Sequence, residues 1–189
     1  VGWRSLRNNK IGVENTAIGV GALEADSSGS WNTAVGRYAG FLNKRGDLNV
    51  AIGMQAAVSN DTADVTTFVG YLSGYYNRNN YNTGLGAYAL TYNNFTTGSN
   101  TTGAENTGLG YGAGYRINLG SQNTAIGFQS MNGGGPFISG NRNVAVGDST
   151  LFSFSTGNDN VAMGYKALSN AQTGSQSVAI GSRALRDFS

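Results

Sequence analysis

The chain contains no cysteine and no histidine. Disulfides are thereby excluded, and so are the usual zinc, haem and iron–sulfur sites built from those residues. A nucleophile activated by an imidazole is excluded on the same ground. Charged residues make up only 12% of the chain, with a net charge of +2. No Lys/Arg stripe of the kind a phosphate backbone demands is present, so no nucleic acid is expected. Arg37, Arg78, Arg116, Arg142 and Arg183 read as isolated, solvated turn residues. No apolar run approaches the roughly 18 residues of a spanning helix, so direct membrane insertion is not expected. Heptads are missing, and no long stretch shows the 3.6-residue period of a helix. The chain begins at Val1, without Met or signal peptide, which reads as a fragment or processed product.

Few acids are available for catalysis. A carboxylate-based glycosidase needs two acids converging in a groove. Glu14, Glu24, Asp26, Asp47, Asp61, Asp64, Glu105, Asp148, Asp159 and Asp187 fall mainly in expected turns, at differing phases, and form no suggestive pair. They read as solvated side chains. The glycine-rich calcium nonapeptide is also missing. The expectation is a protein that is not an enzyme, with no cofactor, no metal site and no catalytic residue.

What is abundant is glycine, 30 residues of it, and a recurring five-residue phrase. Asn15-Thr16-Ala17-Ile18-Gly19 returns as Asn32-Thr33-Ala34-Val35-Gly36 and, with small changes, along the whole chain. Thr66-Thr67-Phe68-Val69-Gly70 is a degenerate copy, and Val1-Gly2 is the tail of another. The closing glycines are Gly19, Gly36, Gly53, Gly70, Gly86, Gly110, Gly127, Gly147, Gly164 and Gly181, with Gly2 ahead of them. Their modal spacing is 17 residues, interrupted by two insertions, at about 91–105 and 131–142. That unit is too short for helical repeats, which need about 33 residues. It suits one coil of a parallel β-solenoid, with two short strands and two turns, repeated about eleven times in a single domain over residues 1–189.

The unit has a definite internal order. Its fourth position is always apolar: Ile18, Val35, Ile52, Val69, Leu85, Leu109, Ile126, Val146, Met163 and Ile180, read as the repeat core. The third position is Ala or Gly except at Phe68, and a second small column follows three residues after each glycine. The repeated Gly reads as a corner where a Cβ would obstruct the backbone. The repeated Asn reads as a turn cap that can also bond from coil to coil. So thin a roll buries little by itself. Three chains sharing one core would remedy this, so a homotrimer is expected in preference to a monomer with capped ends.

The phrase Asn-Thr-Ala-Ile-Gly followed by x-x-Ala-Leu resembles the YadA-like head repeats of trimeric autotransporter adhesins. It also resembles the similar β-roll repeats of phage and contractile-particle tail fibres. The resemblance covers essentially the whole chain. It implies a left-handed roll, three rolls about an axis, and an extracellular attachment role on a virion, injection particle or cell surface. The adhesin unit is shorter than 17 residues, which favours the fibre branch.

Recognition is sought in aromatics and insertions. The residue after each corner is often a ring or apolar, as at Trp3, Tyr71, Tyr111, Phe128 and Tyr165. Such a column either packs against neighbouring chains or its own turns, or offers ring faces to sugars. A second set, Tyr75, Tyr76, Tyr81, Tyr92, Phe95, Phe137, Phe152 and Phe154, is placed in loops. Insertions in repeat proteins map to loops, often on a binding face. The candidate receptor-binding residues are therefore Tyr92, Asn94, Phe95, Asn132 and Phe137, for a host-surface glycan or protein. The alternatives are a structural shaft that positions a separate tip, and an ice-binding solenoid. The ice-binding reading would use the Thr rank at Thr16, Thr33, Thr67, Thr83, Thr107 and Thr124, on a face expected to be apolar and internal.

Overall fold

The computed structural model describes residues 1–93, 103–135 and 137–187. Ten strands of three residues form one parallel sheet, in chain order throughout: β1 (Thr16–Ile18), β2 (Thr33–Val35), β3 (Val50–Ile52), β4 (Thr67–Val69), β5 (Thr83–Leu85), β6 (Thr107–Leu109), β7 (Thr124–Ile126), β8 (Val144–Val146), β9 (Val161–Met163) and β10 (Val178–Ile180). Each phrase residue pairs with its counterpart in the next coil, as in Thr16 with Thr33, Ala17 with Ala34 and Ile18 with Val35. The chain is an all-β parallel solenoid, with no helix among the described residues. Strands begin 17 residues apart at most steps. At about 4.8 Å per step, β1 and β10 lie roughly 43 Å apart.

Two details differ from the sequence reading. Among the described residues the phrase forms ten strands for the eleven expected coils, because Val1-Gly2 lacks the Asn-Thr-Ala half of its phrase. It still stacks, with the Gly19 N–H donating to the Val1 carbonyl at 2.8 Å. Among the described residues each coil also carries one strand and not two. The far side is a chain of turns in which residues with positive φ recur, such as Tyr38 at 57° and Leu23 at 49°. Alternating left-handed residues break β geometry but leave N–H groups pointing along the stack. Tyr38 N–H therefore donates back to Val20 at 2.8 Å, while Leu42 N–H donates forward to Val58 at 2.8 Å.

The core lies one residue away from its expected place. Ala34, Phe68, Ala125, Ala145 and Ala162 are fully buried, whereas Ile18, Ile52, Leu85, Leu109, Met163 and Ile180 are 37–67% exposed. Val35, Val69, Ile126 and Val146 are half-buried. Alternation puts the middle residue of each strand inside and both its neighbours outside. The inward column is Ala or Gly in every strand except at Phe68, whose ring fits only where Gly74 and Gly84 leave room, so the larger residue otherwise takes the outer face. Space is filled from the turns instead. Ala22, Ala39, Ala56, Ala89, Ala113 and Ala167 are fully buried, and Leu23, Leu90, Met131, Leu151 and Leu168 close the far wall.

The corners explain the glycines. From Gly19 to Gly164 the corner φ lies between +115° and +135°. A Cβ at Gly127 would stand 2.6 Å from the carbonyl oxygen of Gly147 in the next coil. Beside the corners runs an asparagine ladder. The N–H of Asn32 donates to Asn15 Oδ1 at 2.9 Å, that of Asn49 to Asn32 at 2.9 Å, and that of Asn143 to Asn123 at 2.9 Å. Each amide also donates to a carbonyl of the next coil, as Asn32 Nδ2 does to Gly46 at 2.8 Å. In the degenerate copy Thr66 takes the place, its N–H and Oγ1 both donating to Asn49 Oδ1, at 3.0 and 2.6 Å.

A second ladder accounts for two acids. Ser30 N–H donates to Asp47 Oδ1 at 2.7 Å, and Asp47 N–H to Asp64 Oδ1 at 2.8 Å. Other charges also depart from the solvated reading. Arg142 forms a two-pronged pair with Asp159, at 2.7 and 3.0 Å. That pairing holds the Asp159 carboxyl below its ordinary range and raises the Arg142 guanidinium. Glu24 is largely buried between Arg4 and Arg7, at 3.5 and 3.6 Å. Asp26 is fully buried, with Oδ2 unpartnered.

Candidate functional site

The turns after β4 to β7 carry rings at matching phases, and these rings meet. Tyr75 and Tyr76 stand edge to face at 4.5 Å, and Tyr76 stacks on Tyr92 at 5.2 Å. Tyr92 packs edge-on against Tyr115 at 5.0 Å. Tyr88 contacts Tyr71, Tyr111 and Tyr115, at 5.3, 5.5 and 6.2 Å. Tyr111 stacks on Phe128 at 5.4 Å, with their planes 13° apart. Parallel coils put equivalent positions one rung apart, so rings in phase stack without any long-range device.

Three of the five candidate residues come to this face. Tyr92 from the first insertion and Phe137 from the second have ring centroids 6.2 Å apart. Asn132 Nδ2 donates to the Gly112 carbonyl at 3.0 Å. Asn94 and Phe95 lie outside the described residues. Phe154, placed in a loop by the sequence reading, is instead fully buried in the core. It lies against the stacked backbone at Gly140 and Gly157, where an added Cβ would meet its ring at 2.9 and 2.8 Å. Tyr81 is exposed, and Phe152 half-buried. Tyr88 and Tyr115 are not among the sequence candidates, although they occupy the second and fifth positions after their corners.

Tyr88, Tyr111, Gly112, Tyr115, Gln129 and Asn132 line a cleft of about 300 Å³. No lining residue is charged. Burial raises the Tyr115 hydroxyl to about 12, helped by a hydrogen bond with Tyr92 and opposed by Arg116. Burial likewise raises Tyr88, reinforced by Tyr71. Both phenols therefore stay neutral donors at physiological pH. Arg116 is engaged elsewhere, Nη1 donating to the Gly135 carbonyl at 2.6 Å and its guanidinium 5.9 Å from the Phe137 ring centroid. Two further hollows lie on the turn side. One, of about 330 Å³, includes Glu24, Tyr38 and Phe41; the other, of about 280 Å³, includes Phe152, Lys166 and Arg186.

The sheet offers a different surface. Its two outward columns are the Thr/Val rank from Thr16 to Val178 and the apolar rank from Ile18 to Ile180. Beside them Trp3, Met54, Tyr71, Tyr111, Phe128 and Tyr165 are 39–62% exposed. On the other flank Trp31, Leu48, Val65 and Tyr81 are 45–57% exposed. The result is an apolar band along the rod, larger than the scattered apolar residues normal on a monomer. In comparisons with family models, with curated proteins and with solved structures, nothing matches this chain.

Proposed function

We propose that this chain is a recognition segment of an extracellular, non-enzymatic attachment fibre. Three left-handed rolls pack the two outward columns of their sheets together, and each presents its turn face, with the flanking Tyr111 and Phe128 left open, to a host-surface glycan or protein. The observation that carries this reading is the meeting of the two insertions on one rigid face, with Tyr92 and Phe137 6.2 Å apart and Asn132 in the adjoining cleft. Loops held by a stacked scaffold suit recognition, and three copies turn weak contacts into avidity. The test is binding to host cells by the intact protein and by variants lacking residues 94–99 or 132–135. Loss in either variant, with the assembly intact, supports the reading. Undiminished binding by both makes this segment a shaft for a tip elsewhere.

One observation favours a second reading. The Thr rank is not internal in the single chain but faces outward, with Thr16 and Thr83 exposed. A regular outer rank at about 4.8 Å spacing is also what an ice-binding solenoid presents to ice. Thermal hysteresis together with a monomer in solution would favour that alternative. A trimer covers the same rank and would end it.

A further inference from the structure

The cleft beside the second insertion has a chemistry narrower than "host surface". We infer that Tyr88, Tyr111, Tyr115, Gln129 and Asn132 form a subsite for one ring of a neutral sugar. This rests on the attachment reading and goes on to name the ligand class. The cleft volume of about 300 Å³ is at the small end for ligand sites. That is room for one pyranose ring and not for an extended oligosaccharide.

Its walls divide into apolar faces and unspent amides. Tyr111 is 48% exposed and held in place by its stack on Phe128. Its ring offers an apolar face to the C–H side of a sugar, at small entropic cost because the neighbouring ring already fixes its rotamer. The Gln129 side chain makes no hydrogen bond among the described residues. Asn132 uses only Nδ2, which leaves Oδ1 as an acceptor. A donor pair and two acceptors therefore line a wall beside two neutral phenols. Such an array matches vicinal hydroxyls, each able to donate and accept. A purely apolar ligand would leave these amides unmatched. An anionic sugar would meet no cation on the lining, since Arg116 is turned to Gly135.

Titration calorimetry and saturation-transfer NMR test this with the methyl glycosides of glucose, galactose, N-acetylglucosamine and N-acetylgalactosamine, and with sialyllactose as the anionic comparison. At least one neutral glycoside should bind in the millimolar range, as expected for a single small ring. Tyr111→Ala and Gln129→Ala should each weaken it about tenfold, with the solenoid still folded by circular dichroism. Saturation should fall on the C–H protons of one sugar face. No binding by any of the four glycosides, equal binding by both variants, or a preference for sialyllactose would overturn the assignment. Host-cell attachment that survives both substitutions removes this cleft and leaves the attachment reading standing. Sugar binding by a protein that never attaches to cells does the reverse.

Discussion

At the residue scale, buried amides carry much of the specificity. Asn123 Oδ1 accepts from the Asn143 N–H and Nδ2, at 2.9 and 3.0 Å, while its own Nδ2 donates to the Gly140 carbonyl at 2.8 Å. Asn123→Ala strands those groups inside the stack. Urea unfolding should show a loss of about 2–4 kcal/mol, and a change within error would remove the ladder from the account. Asp26 is the weak member of a separate column of turn side chains. In the column where Asn43 donates Nδ2 to the Gly46 carbonyl at 3.0 Å, Asp26 leaves Oδ2 without a partner. Burial raises its carboxyl to about 6 from 3.8. The folded state thus holds the proton more tightly than the unfolded chain. The stability linked to that proton is present below the unfolded value and is lost as pH rises from 3.8 to about 6. Asp26→Asn should raise the melting temperature above that window, by up to about 3 kcal/mol in stability, and make little difference below it. Thermal melts across the window check the sign.

At the scale of a coil, the constraint is that neighbours are mutual. Phe68 occupies the column that is otherwise Ala or Gly, and the coils around it give way. A Cβ at Gly74 would lie 2.4 Å from the Phe68 ring, and one at Gly84 would lie 2.7 Å from it. Gly84→Ala alone should therefore destabilise strongly, and Phe68→Ala should cost about 3–5 kcal/mol through the cavity it leaves. The double substitution restores the common Ala pair, so the two losses should be far from additive. Additive losses in a double-mutant cycle would contradict this packing. The corner is less forgiving, because both φ and the backbone of the next coil oppose a side chain. Gly127→Ala should cost about 3 kcal/mol or more in the same assay.

At the scale of the molecule, inner and outer columns separate folding from assembly. Ala125 is fully buried within its own chain, whereas Ile126 is half-buried on the outer face. Ala125→Arg places a charge inside the roll and should unfold it. Ile126→Arg leaves the roll intact in the monomer and should split a trimer that closes on the sheet band. Light scattering with circular dichroism distinguishes the two. A folded wild-type monomer at low concentration would refute the shared face, and with it the trimeric part of the proposal.

Much of this was legible in the sequence because the information is local and repeated. The period, the all-β stack, the parallel register and the corner glycines follow from a short phrase returning in phase, where each copy meets only the next. The insertions were legible as interruptions of that period. What the sequence left open is which side of a three-residue strand faces inward. Alternation is symmetric, so Ala17 and Ile18 are equally admissible core residues until the width of the roll is known. The tertiary structure decides it, because a coil closed by left-handed turns leaves room on the strand's inner side for a methyl group, and for more only where the facing positions are glycine, as at Phe68. The same closure buries Asp26 and brings Tyr92 to Phe137. No period predicts the Tyr92–Phe137 contact, because both residues lie in segments that break it.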